Sequence, residues 1–112
     1  EIYAIFDLKN AKLYYLKNYL HSTDSDYSTI LDIKVKDYSE REIYSVRGGL
    51  QYDGRDYYVY KFTEEKGKEK IEMLEQSSKW SKDRLDDDKL DDFEYNKEVL
   101  DIKNGYYEHN RL

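Results

Sequence analysis

The sequence predicts an α+β fold: a five- or six-stranded, mostly antiparallel, twisted sheet with one helical segment around residues 67–90. Three observations carry that prediction. Apolar and polar residues alternate with a period of two in several short runs. Asp53-Gly54 and Asn104-Gly105 punctuate two of those runs, as hairpin turns do. Beyond them, Ile71, Leu74, Trp80, Leu85 and Leu90 stand at spacings that suit a broken helix better than a continuous one. A small closed OB-like barrel is the alternative architecture. At 112 residues the chain is expected to form a single domain over residues 1–112.

The elements follow in order. Residues 1–7 (EIYAIFD) read as a strand, with Ile2, Ala4 and Phe6 on one face and Tyr3 and Ile5 on the other. Residues 13–20 lean towards a second strand, although Leu13, Leu16 and Leu20 also suit a helix. His21 to Ser28 is polar and small, a loop. Thr29 to Lys36 alternates again and predicts a strand with Leu31, Ile33 and Val35 on one face. Residues 41–52 and 55–63 are expected to form a central hairpin turning at Asp53-Gly54, with Leu50 opposite Tyr57 and Val46 opposite Lys61. Gly48-Gly49 suggests a bulge within it. Residues 70–76 read as helix or, alternatively, as a strand. A closing hairpin is expected around Asn104-Gly105, between Val99 to Lys103 and Tyr106-Tyr107.

Composition narrows the function classes. The net charge is −6, the isoelectric point is near 5.0 and mean hydropathy is −1.08. Basic residues are interleaved with acids, so no stripe of Lys and Arg is available for phosphate backbones, and nucleic acid is not an expected partner. Cysteine is absent, which removes disulfides and thiolate chemistry. No apolar run is long enough to span a membrane, so a membrane link is expected only through an N-terminal segment missing before Glu1. Fourteen tyrosines supply rings that bury apolar area while their hydroxyls stay wet, which suits either a thin core or a contact surface.

Candidate chemistry is sparse. His21 and His109 have no Ser, Cys or second His at a triad or ligand spacing. The acidic run from Asp86 to Glu94 lacks the alternate spacing and glycine of a calcium loop and reads as a solvated face. No phosphate-cradling glycine loop occurs. The chain is therefore expected not to be an enzyme and to hold no catalytic, cofactor or metal site. Trp80, between Lys79 and Lys82, reads as a core plug or as an exposed anchor. Tyr57, Tyr58 and Tyr60, with Arg55 and Lys61, alternate across both faces of one strand, so a one-sided core leaves rings exposed. These five residues and Trp80 are the predicted partner-binding set.

In its Tyr-, Lys- and Asp-rich strands, exemplified by YDGRDYYVYKF and VLDIKNGYYEHNR, and in its lack of Pro and Cys, the chain resembles small ectodomains of secreted or membrane-anchored proteins of unknown function from low-GC Gram-positive bacteria. The resemblance implies an extracytoplasmic location and assigns no residue a role. The expected function is a non-catalytic extracytoplasmic binding or interaction domain, with a protein or a cell-envelope component as partner. The alternative is a small acidic inhibitor or immunity protein that occupies a basic cleft. Acidic residues motivate it, because the last 56 residues carry fifteen acids against eleven bases.

Overall fold

Five strands form one open sheet in a computed structural model that describes residues 2–18, 31–47, 54–94 and 96–110. They are β1 (Ile2–Asp7), β2 (Lys12–Asn18), β3 (Glu40–Arg47), β4 (Gly54–Lys61) and β5 (Gly105–Asn110), in the spatial order β3-β4-β2-β1-β5. Every neighbouring pair is antiparallel. Helix α1 spans Glu64–Gln76, the short α2 spans Asp87–Asp91, and a 3-10 turn covers Lys97–Asp101. The fold is thus α+β, as expected, and the sheet does not close into a barrel.

Alternation decides which side chain goes where. Ile2, Ala4 and Phe6 of β1, Leu13 and Tyr15 of β2, and Tyr60 of β4 face one side. There they pack against Phe62, Leu74 of α1, Trp80, and Leu31, Ile33 and Val35. Tyr3, Ile5, Tyr14, Leu16, Tyr57, Val59 and Tyr107 face the other side, under Leu90, Phe93 and Val99. The sheet is therefore the middle of three layers, and all six residues of β1 are buried.

Helix α1 starts because Thr63 accepts a hydrogen bond from the Lys66 N–H (3.2 Å) and Glu64 and Glu65 meet the positive end of the helix dipole. Gly67, Lys70, Ile71 and Leu74 make the stripe that faces the sheet. A Cβ on Gly67 would lie 2.7 Å from the Ala11 Cβ, so only glycine lets helix and turn approach this closely. The Lys70 side chain is 1% exposed, and its ammonium donates to both Asp37 oxygens at 2.7 Å. Burial would raise the Asp37 pKa, but the Lys70 hydrogen bonds and charge outweigh it and hold the carboxyl below its usual range. Residues 70–76 are helical, so the strand alternative falls. The helical segment predicted over 67–90 begins earlier, stops at Ser77 and resumes only at Asp87.

Three expectations need correction. Residues 31–36 form no ladder. Leu31, Ile33 and Val35 are buried and Asp32, Lys34 and Lys36 are exposed, so the alternation holds. Asp32, however, adopts φ 54°, in the left-handed region, so the segment is not an extended strand there. The second correction concerns β3 and β4, which pair in a different register: Val46 lies opposite Arg55 and Tyr44 opposite Tyr57, six residues from the expected offset. Gly54 sits inside β4 opposite Arg47, so Asp53-Gly54 is no two-residue turn, and β3 is an edge strand rather than a central one. Third, Asn104-Gly105 joins no hairpin. The 3-10 turn precedes it, and β5 pairs with β1, Gly105 opposite Asp7. Gly105 is there for room: a Cβ would lie 3.1 Å from Ile102 Cγ2 and 3.2 Å from the Phe6 carbonyl oxygen.

The tight hairpin of the sheet is instead β1–β2. The Asp7 carboxylate accepts from the Lys9 N–H (3.1 Å), the Asn10 N–H (3.4 Å) and the Asn10 side-chain amide (2.8 Å), and Ala11 takes φ 51°. The expected loop over His21 to Ser28, the ends of the segments at Tyr19-Leu20 and Thr29-Ile30, the Gly48-Gly49 bulge, Leu50 and Asp53 lie outside the described residues.

Candidate functional site

The outer strand β3 differs from the rest of the sheet in a simple way. Its residues from Glu40 to Ser45 are all exposed, on both faces. Ile43 (48%) and Tyr44 (38%) are large apolar side chains left in water where nearly all others are buried. Among the described residues its only strand neighbour is β4. Alternate residues of an edge strand aim their N–H and C=O groups away from the sheet.

An aromatic ramp leads to this edge on the α1 side. Tyr15 of β2 stacks on its cross-strand neighbour Tyr58, with ring centroids 4.4 Å apart and planes 15° apart. Tyr60 lies 5.8 Å from the same ring, and the hydroxyls of Tyr15 and Tyr60 meet at 3.4 Å. Tyr38 stands edge-on to Tyr60 at 5.3 Å, and the Arg41 guanidinium lies 5.3 Å from the Tyr38 ring centre. Tyr38 and Tyr58 are half-buried, and Ile43, directly opposite Tyr58, continues the ramp onto β3. On the other face, the Tyr44 hydroxyl donates to Glu42 (2.8 Å), and that carboxylate raises the Tyr44 pKa. Arg55 reaches Asp92 at 3.2 Å and Glu94 at 4.0 Å, tying β4 to the layer below.

The six residues predicted for partner binding do not form one patch. Tyr58 and Tyr60 point to the α1 side; Tyr57, Arg55 and Lys61 point to the other. Tyr57 and Tyr60 are buried, because both faces of the sheet are covered there. Burial pushes the Tyr57 hydroxyl up, against the pull of the neighbouring Arg55. Trp80 is also buried and donates its indole N–H to the Leu31 carbonyl, so it is a core plug and not an anchor. Tyr58 and Arg55 are half-buried and Lys61 is exposed.

Sequence reasoning passed over Arg41, Ile43 and Tyr44, the residues that make the exposed edge. The signal for them was present in Glu40-Arg41-Glu42, since charged side chains cluster on edge strands. Among the described residues, no group of three or more His, Cys, Asp or Glu side chains is placed to hold a metal ion, and no helix is long and apolar enough to cross a membrane. Comparisons with protein-family models, with curated proteins and with solved structures found no match.

Proposed function

We propose that this chain is a non-catalytic binding domain that takes an extended segment of a partner protein along β3. One observation carries the reading: six consecutive residues of an edge strand are exposed, and they include Ile43 and Tyr44. An outward row of backbone donors and acceptors is matched by another extended backbone, and the side chains beside it set specificity. Ile43 with the half-buried Tyr58 and Tyr38 offers apolar and aromatic contact on one face, and Tyr44 offers it on the other. Rings lose little rotamer freedom on docking, which favours them as contacts. An extracytoplasmic setting rests on the compositional resemblance, and cell fractionation with an antibody to the full chain tests it.

The inhibitor reading has less support. Arg55 engages Asp92 and Glu94, Arg84 engages Asp87 and Lys97 approaches Asp91, which leaves a smaller acidic face for a basic cleft.

The test is capture of a partner from the native host followed by amide exchange on the purified pair. Outward amides within Glu40–Arg47 are expected to gain protection. Ile43→Lys is expected to abolish capture while Met73→Lys, an exposed apolar position on α1, leaves it intact. Protection elsewhere, with β3 unchanged, overturns the reading, and so does a concentration-dependent dimer of this chain paired through β3.

A further inference from the structure

At the end of the sheet where β1 turns into β2, a cleft of about 540 Å³ opens beside the 3-10 turn. Four lysines line it: Lys9 in the turn, Lys12 at the start of β2, Lys61 at the end of β4 and Lys103 before β5. In a chain of net charge −6 such a gathering stands out. Four lysines outside it are matched with acids: Lys66–Glu69, Lys68–Glu64, Lys70–Asp37 and Lys79–Asp32. Among the described residues, none of the four ammonium groups in the cleft makes an ion pair or hydrogen bond.

Lys12 and Lys61 are direct cross-strand partners, so their side chains leave the same face of the sheet side by side. Like charges in that position oppose sheet formation, although Asp7 opposite Lys12 and Glu40 opposite Lys61 flank the pair with acids. Nothing in the packing requires charge there, because Lys61 is exposed and Lys12 half-buried. An anion seated between them would turn repulsion into attraction.

The acids of the cleft do not cancel the lysines. Asp7 is 6% exposed, and its oxygens are turned into the β1–β2 turn by three hydrogen bonds. Glu98 lies against the hydroxyl of buried Tyr14, whose pKa burial and that carboxylate together raise. With Asp101, the lining holds three carboxylates against four ammonium groups. The volume suits a small molecule, since ligand pockets run from about 300 to 1,000 Å³. Lysine ammonium groups act as point charges that suit phosphate oxygens from several directions.

We infer that this cleft binds a small phosphate-bearing molecule carrying two or more negative charges, held between Lys12 and Lys61 and flanked by Lys9 and Lys103.

Calorimetric titration of the full chain with inorganic pyrophosphate at low salt tests this. Saturable binding at one site per chain is expected, weakened about tenfold or more in the double variant Lys12→Gln, Lys61→Gln, as loss of charge-assisted hydrogen bonds implies. Lys34→Gln, Lys36→Gln, which removes two exposed lysines outside the cleft, is expected to bind as wild type does. Lys103→Gln, outside every strand, gives a smaller loss in the same direction and serves if the double variant folds poorly. The inference is overturned if pyrophosphate gives no binding at millimolar concentration. It is equally overturned if the two double variants weaken binding alike, which is diffuse attraction, or if acetate binds as well as pyrophosphate.

Discussion

The two edges of this sheet have been treated in opposite ways. Beyond β5, Ser81 donates its N–H to the Tyr107 carbonyl (3.0 Å) and accepts the Tyr107 N–H at 2.7 Å, so one residue of an irregular segment seals the middle of the edge. Both faces of β5 are also covered, and Tyr107 and Glu108 are buried. Beyond β3 no such bridge occurs among the described residues, and Glu40 to Ser45 lie in water. Edge strands invite pairing with other chains, and proteins blunt them by covering or by charge. Here β5 is covered, whereas β3 is blunted only by Glu40, Arg41 and Glu42, which leaves Ile43 and Tyr44 open to a partner.

Tyr107 and Tyr44 are the sharpest test of that difference. Tyr107→Ala is expected to cost about 3 kcal/mol or more in denaturant unfolding, because a buried ring leaves a cavity. Tyr44→Ala is expected to cost about 0.5 kcal/mol, as exposed positions do. Equal losses would mean that β3 is as deeply packed as β5. Next in size is Ser81→Pro, which removes one of the two bridging hydrogen bonds and should cost about 1 to 2 kcal/mol. Faster exchange of the β5 amides, with those of β4 unchanged, is the expected readout.

Glu108 gives a smaller effect of opposite sign. Its side chain is 6% exposed, and among the described residues its Oε2 has no hydrogen-bond partner. Burial raises its pKa, partly offset by the Lys79 charge. A raised carboxyl pKa means that the folded state prefers the proton, so Glu108 costs nothing below its unfolded pKa. The penalty grows as pH climbs from there through the folded value. Glu108→Gln is therefore expected to stabilise by about 1 kcal/mol at neutral pH. That gain should vanish once the pH drops below the ordinary glutamate range of about 4. A constant gain at all pH values would assign the effect to packing. Smallest of all, Ile43→Thr should change stability by under about 0.5 kcal/mol, yet it should weaken capture of a β3 partner.

Much of the fold was legible because alternation survives errors of register. The expected β3–β4 offset missed by six residues, an even number, so every side chain still landed on its proper face: Tyr57 and Val59 on one, Tyr58 and Tyr60 on the other. Turn chemistry misled the reading. Asp-Gly and Asn-Gly suggest φ > 0, but neither Gly54 nor Gly105 has positive φ, and Gly105 is required for close packing instead. The actual left-handed turn residue of the β1–β2 hairpin is Ala11, which composition does not flag. The lysine cleft was illegible for a different reason. Lys9, Lys12, Lys61 and Lys103 come from four separate stretches of sequence, and only the pairing of β2 with β4 and of β1 with β5 brings them together.

The placement of β1 also bears on when the fold can form. One of its ladders joins Asp7 to Lys12 across a short turn; the other joins Ile2 to Asn110, near the opposite end of the sequence. The first can zip within about 10 microseconds of its residues becoming free to move. The second must wait for about a hundred further residues to be made, roughly 5 to 20 seconds on a ribosome adding 5 to 20 residues each second. Throughout that interval β1, the most apolar strand, presents an unpaired edge. The nascent chain therefore passes through a sticky stage that the finished sheet conceals, and β5 is the strand that ends it.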